Sequence, residues 1–242
     1  VVRASVAQGV EAGYFGGSPE ESVTEALAFQ TNLTRLILHQ KMTFNSPVWF
    51  NIGVEGRRQT PSACYPLGVE DTMDSILDWI RVEGLVFKAG SGAGVNLSKV
   101  RGSREPLSRG GRASGPVSFM RAADASAGAI KSAGLTRRAA KLVCLDVDHP
   151  DILEFIRCKA IEEEKANVLI AGGYSSSFNE QGGAYDSVQF QNANNSVRVT
   201  DEFMSCAGGT AGSQDLVARV SGEVLESLPA HYLLDEIAKA AW

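Results

Sequence analysis

"RRAAKLVCLDVDHPDILEFIRCK", Arg137–Lys159, decides the fold class. Val143, Leu145 and Val147 alternate with more polar neighbours, the period of a strand with one buried face, and Pro150 then opens a helix. A strand running directly into a helix is the repeating unit of an α/β fold. Upstream, "PVSFMRAADASAGAIKS" starts at Pro116, a residue favoured in the first turn of a helix. The stretch between Arg101 and Gly115, "RGSREPLSRGGRASG", is too rich in glycine, serine and arginine to be core and is predicted as a loop. From Asp71 the spacing of Met73, Ile76, Leu77 and Ile80 predicts a helix with one apolar face, with Asp71 as its N-cap.

Nearer the N-terminus, "PEESVTEALAFQTNLTRLILHQ" places Val23, Leu27, Leu33, Leu36 and Ile37 at helical spacing. "TFNSPVWFN" (Thr43–Asn51) carries Ser46-Pro47, which predicts a sharp turn beside a strand, and "SACYPLGV" reads as a short strand ending at Gly68. Towards the C-terminus, residues 171–187 read as a surface insertion, and "VQFQNANNSVRVTDEFM" as a strand, a polar turn and a second strand. "PAHYLLDEIAKAAW" is the last helix.

With 242 residues and 44% hydrophobic content the chain can bury a substantial core as one large or two small domains. A net charge of -5 gives no general attraction to nucleic acid or an anionic membrane. No apolar run approaches the roughly 20 residues that span a bilayer, and "VVRASVAQGV" lacks the layout of a signal peptide. The expectation is a cytoplasmic protein without nucleic-acid or membrane partners. Cys64, Cys144, Cys158 and Cys206 are widely spaced with no Cys-x-x-Cys, which favours neither a zinc site nor a disulfide scaffold.

"AGSGAGVNLSKVRG", Ala89–Gly102, has the look of a phosphate loop. The dinucleotide fingerprint fails, because its third glycine position is Val95 and a helix rather than a strand precedes Gly90. The P-loop pattern fails as well, since Lys88 precedes the glycines. A tight turn that lets backbone approach backbone fits the spacing as well as a ligand site does.

Six stretches occur in one order: "NSPVWFN", "SACYPLGVEDTMDSI", "FKAGSGAGVNLSKVRG", "ASGPVSFM", "RRAAKLVCLDVDHPDILEFI" and "QNANNSVRVTDEFM". Together, from about Phe44 to Trp242, they resemble the catalytic chain of ribonucleotide reductase, most closely the adenosylcobalamin-dependent class II enzymes of the actinobacterial type. Class I, with a separate metal-radical subunit, is the nearest alternative within the family. The resemblance implies an α/β fold: the N-terminal half of a ten-stranded barrel over residues 44–242, preceded by a small helical segment over residues 1–43.

The resemblance also implies roles for individual residues. Cys64 matches the first redox cysteine, which reduces the substrate and then pairs with a second cysteine further along. Ser46, Pro47, Ala63, Ser91 and Gly92 match positions lining the ribonucleotide substrate. Asp71, Lys88 and Arg101 match a specificity site for a dNTP or ATP effector, where the aspartate holds a deoxyribose hydroxyl and the cations hold the triphosphate. Ser108–Gly115 would be the first specificity loop and Lys131–Arg138 the second, with Lys131, Arg137 and Arg138 as further effector contacts.

The family's Asn-x-Cys-x-Glu radical signature is absent from these residues, as are a partner for Cys64 and a substrate phosphate loop. The expectations are therefore that this chain alone does not reduce a ribonucleotide and that a complementing C-terminal segment supplies the rest. Adenosylcobalamin contacts would lie mostly outside it, an external thiol would serve as reductant, and a homodimer would form through a four-helix bundle that includes Ile76 and Ile80. The alternative is a catalytically incomplete nucleotide-binding or regulatory subunit.

Overall fold

The structure, a computed structural model, describes residues 1–56, 59–130, 140–178, 180–209 and 212–242. In chain order its elements are α1 (Val2–Glu11), α2 (Pro19–Leu38), α3 (Ser46–Asn51), β1 (Cys64–Leu67), α4 (Met73–Lys88), β2 (Gly92–Asn96), α5 (Gly115–Ala129) and β3 (Lys141–Asp146). There follow α6 (Ile152–Ala171), α7 (Ala184–Ser187), β4 (Ala193–Arg198), α8 (Asp201–Ala207), β5 (Ser213–Val217), β6 (Val224–Pro229) and α9 (Ala230–Ala241). They divide into two compact units, Val1–Tyr65 with Ala89–Ser91, and Pro66–Lys88 with Gly92–Trp242.

In the first unit α2 starts with a capping box: Ser18 accepts from the Glu21 N–H, and the Glu21 carboxylate accepts from the Ser18 N–H. Ala26 and Leu33 are buried, but Val23 and Leu27 of the expected apolar stripe remain exposed. Ser46-Pro47 does not make the expected turn beside a strand. Proline lacks only an N–H that the first turn of a helix leaves unpaired anyway, and α3 begins there.

In the second unit β2, β3 and β4 run parallel as neighbours in that order. Parallel neighbours need crossovers, and α5 and α6 supply them. Lys141, Val143 and Leu145 of β3 point into the main core with Leu97, Met120, Ile152, Phe155, Phe203 and Leu233. On the other face the register sets Gly94 beside Leu142 and Asn194, and Asn96 beside Cys144 and Ser196. That face is small and polar, and Leu142, Asn194 and Ser196 are exposed on it. β5 and β6 form a separate antiparallel hairpin that the sequence reading did not assign.

Several expectations need correction. The glycine-rich stretch is a turn only at Gly90, whose φ of +84° favours glycine; Gly92 and Gly94 lie within β2. The cap of α4 is Thr72, whose Oγ1 accepts from the Ser75 N–H at 3.2 Å, because the Asp71 carboxylate is engaged elsewhere. The buried face of α4 is Ile76, Trp79, Glu83 and Phe87, so Met73 and Leu77 turn outward. Ile76, expected in a bundle between subunits, is packed inside this unit. Pro150 precedes α6 by two residues rather than opening it. Residues 188–204 hold one strand, β4, and then α8, because Thr200 accepts from the Phe203 N–H and caps a helix.

Candidate functional site

The carboxyl ends of parallel strands are where open α/β sheets bind ligands. There Asn96, the last residue of β2, donates to Asp146 Oδ1 at 3.3 Å and accepts from Ser98 through both its N–H and its hydroxyl. Ser98 Oγ accepts in turn from the Asp146 N–H at 2.7 Å. Arg198, which ends β4, pairs with Asp146 at 2.5 Å, and Arg219 binds Asp148 through two nitrogens at 2.6 and 3.1 Å. Burial works against ionisation of Asp146, but Arg198 and Asn96 outweigh it and hold the carboxyl below its usual range. Two clefts open at these strand ends, of about 580 and 630 Å³, and both are walled by Asp146 and Arg198.

The smaller cleft is also lined by Asp71. Arg101 donates to Asp71 twice, from its backbone N–H to Oδ1 at 3.1 Å and from Nε to Oδ2 at 2.6 Å. The structure thus brings two of the three expected effector residues together. Lys88 is apart from them: it closes α4, 16 residues long, so about 24 Å of helix separates it from the Asp71 end. Lys131, Arg137 and Arg138 lie outside the described residues. The expected first loop is closed by Leu107 N–H to Gly111 O at 3.1 Å and by a bridge between Pro106 and Arg112, with Gly110 and Gly111 at positive φ.

In the first unit, Cys64 opens β1 and is exposed. Just before it, Ser62 Oγ donates to the Cys64 carbonyl at 2.9 Å, and Ser91 Oγ donates to the Ser62 carbonyl at 2.7 Å. Ser91 is thereby fixed beside Ala63 and Cys64. Ser46 and buried Pro47 begin α3, whose last residue, Asn51, donates to the Thr60 carbonyl at 3.1 Å. Gly92 is the buried first residue of β2 in the second unit.

Sequence reasoning missed Asn96, Ser98, Asp146, Arg198, Glu105 and His149. Its one available signal was the polar run Asp146-Val147-Asp148-His149 at the end of an apolar strand. A further buried pair, Lys141 and Glu83, lies under the Trp79 ring, whose centroid is 4.9 Å from Lys141 Nζ. Burial pushes the Glu83 carboxyl up and the Lys141 ammonium down, each partly offset by the other.

Parallel strands with helical crossovers define an α/β protein, and charged side chains gather in the clefts where those strands end. A family model described as the ribonucleotide reductase barrel domain matches residues 62–218, and the chain belongs to that family. It is 55% identical over 223 residues to a protein of Streptomyces coelicolor named vitamin B12-dependent ribonucleotide reductase, covering 91% of this chain and 22% of that one. Proteins of the same name from Streptomyces clavuligerus and Rhodopirellula baltica are 52% and 44% identical, over 100% and 97% of this chain and 24% of each relative. The chain therefore spans under a quarter of the length of these relatives. Its sheet, with helices packed on one face, is part of the α/β barrel of that family. Among the described residues no helix is long and apolar enough to cross a membrane.

Proposed function

We propose that this chain is the part of an adenosylcobalamin-dependent ribonucleotide reductase that carries the nucleotide specificity site and one redox cysteine. The observation that carries the reading is exposed Cys64 at the leading end of β1, beside Ser91 locked onto Ser62, in a chain of the reductase family. In the proposed reaction Cys64 and a second thiol give two electrons and two protons to the ribose. The C2′–O bond breaks, a C2′–H bond forms, the hydroxyl leaves as water, and the two thiols become a disulfide that an external thiol reduces. Ser46, Pro47, Ala63, Ser91 and Gly92 are the proposed substrate-lining positions. Asp71 and Arg101 are the proposed effector contacts, the one for a deoxyribose hydroxyl and the other for phosphate. Lys131, Arg137 and Arg138 join them on the resemblance alone, and the helix geometry argues against Lys88.

The two strand-end clefts do not make a site for the cofactor. Both strand-end clefts are small for a corrin with its nucleotide tail, and neither is lined by a histidine that could ligate cobalt. No step is assigned to it, and its contacts are proposed to lie outside these residues, as is the radical cysteine. The small, polar, uncovered face of the sheet supports a complementing segment. Exposed Met73, Leu77 and Leu85 on α4, next to exposed Ser118, Ala122, Ala125 and Ala129 on α5, support pairing of two copies, since bulky residues pack against small ones.

The test is deoxyribonucleotide formation by the complete polypeptide with adenosylcobalamin, a ribonucleoside di- or triphosphate and a dithiol. Nucleotide binding without any reduction would instead leave a regulatory subunit.

A further inference from the structure

Arg101 stands at the start of a loop whose root is held by three buried side chains, His149 and Asp151 from elsewhere in the chain and Glu105 from the loop itself. His149, fully buried, donates from Nε2 to the Val100 carbonyl at 2.8 Å, while its Nδ1 accepts from the Asp151 N–H at 3.0 Å. The Asp151 carboxylate, 5% exposed, takes the Ser103 N–H at 2.8 Å and the Ser103 hydroxyl at 3.0 Å. Glu105, 2% exposed, accepts three backbone N–H bonds: Gly102 at 2.8 Å, and Arg219 and Val220 at 3.0 Å each. Its own backbone closes the root, with Glu105 N–H on Gly102 O and Ala113 N–H on Glu105 O, both at 3.0 Å.

A buried carboxylate costs several kcal/mol of desolvation unless its lone pairs are filled. Glu105 is buried and, among the described residues, forms no salt bridge. Instead it joins the Arg101–Glu105 turn to the segment between β5 and β6, more than a hundred residues away. A core position needs no such device; a turn that must present one side chain in one place does. Burial opposes ionisation of Glu105, yet the N–H donors of Arg219, Gly102 and Val220 together hold its carboxyl below the usual range, so it is charged at neutral pH.

We propose that Glu105 is a positioning residue that fixes the Arg101 backbone so that its guanidinium meets the phosphates of a bound nucleotide. The proposal rests on the reading of Asp71 and Arg101 as an effector site. Asp71 stands on the segment after β1 and shares with the turn the bond from the Arg101 N–H, so loosening the turn weakens phosphate recognition more than recognition of the sugar.

The experiment measures dTTP and thymidine affinities of the complete polypeptide by calorimetric titration, with Glu105→Gln, Arg101→Ala and the double variant. The glutamine keeps the size of the side chain but turns an amide donor toward backbone N–H groups. The expected result is at least tenfold weaker dTTP binding in E105Q, a clearly smaller change in thymidine binding, and no further loss of dTTP binding when E105Q is added to R101A. Should E105Q fail to fold, Ser103→Ala, which removes the hydroxyl bond to Asp151 and keeps the backbone one, must weaken dTTP binding more than thymidine binding. Equal losses for dTTP and thymidine, additive losses in the double variant, or unchanged dTTP binding overturns the positioning role. Wild-type protein that does not bind dTTP, or binds it no better than R101A does, overturns the effector reading itself and the proposal with it.

Discussion

Arg101 closes over Asp71 with its backbone N–H on one carboxylate oxygen and its Nε on the other, at 3.1 and 2.6 Å. The pair is only about a quarter exposed, so solvent screens it less than a surface bridge. A nucleotide that uses both residues must share Asp71 with Arg101, because each of its oxygens already accepts one bond. Removing the guanidinium therefore has opposite consequences for two observables. R101A is expected to weaken triphosphate binding by about 10- to 100-fold, in line with hydrogen bonds to charged groups of about 1.5–3 kcal/mol. It should free Asp71 Oδ2 to hold the sugar, while the backbone N–H of residue 101 stays on Oδ1, so nucleoside binding is retained or improved. Calorimetric titration of both ligands checks this.

Lys141 and Glu83 form a buried ion pair that ties the start of β3 to α4. Breaking one partner leaves an uncompensated charge. Lys141→Met is expected to cost about 3–5 kcal/mol, and combining it with Glu83→Leu to recover most of that. Denaturant midpoints of the three proteins decide it; a double variant no more stable than the single would show that the pair itself drives stability.

His149 supplies a pH dependence whose sign follows from its burial. Burial and the nearby Arg219 push its pKa below the ordinary value of 6.5, against the pull of the Val100 carbonyl, Asp151 and Glu105. The unfolded chain then binds the proton more readily than the native one. Its contribution is complete above about pH 6.5 and declines as the pH falls from there through the folded-state pKa. Glu83 and Glu154, whose carboxyls burial pushes up, act in the opposite direction, so the comparison must isolate His149. His149→Gln can still donate to Val100 O and accept from the Asp151 N–H, but it does not titrate. Urea unfolding at pH 7.5 and 5.5 should show a larger loss of stability on acidification in the native protein than in H149Q.

The exposed side of α4 gives a prediction about assembly. Leu77 is 57% exposed, whereas Ile76 is 3% exposed and belongs to the core. Leu77→Glu is expected to lower the dimer fraction at micromolar concentration while leaving the melting temperature of the monomer within a few degrees. Sedimentation velocity with a thermal melt separates this from the unfolding that a charge at Ile76 would cause.

Periodicity found α2, α4 and the central strand because burial on one face leaves a pattern: Val143 and Leu145 both reach the core. It failed where the pattern was ambiguous. Met73 and Leu77 lie at helical spacing with Ile76 and Ile80, and only packing reveals that the buried line runs through Trp79, Glu83 and Phe87. β2 was hidden by its glycines, which give no apolar alternation. The proposed roles of Asp71, Arg101 and Cys64 rest on resemblance, each a local match in sequence. Glu105, Asp151 and His149 could not be read this way, since what marks them is contact with backbone far away in sequence.

The central proposal is that this chain supplies Cys64 as one of two reducing thiols to a ribonucleotide reductase of which it is a part. Its most direct measurement is the amount of deoxyribonucleotide formed per chain by the complete polypeptide and its Cys64→Ser variant, with adenosylcobalamin and excess dithiol. The account predicts many turnovers for the native protein, and for the variant no more than about one per chain with dTTP affinity unchanged. Sustained turnover by the variant would contradict the role of Cys64. No turnover by the native protein, with dTTP bound, would contradict the reductase reading of this chain.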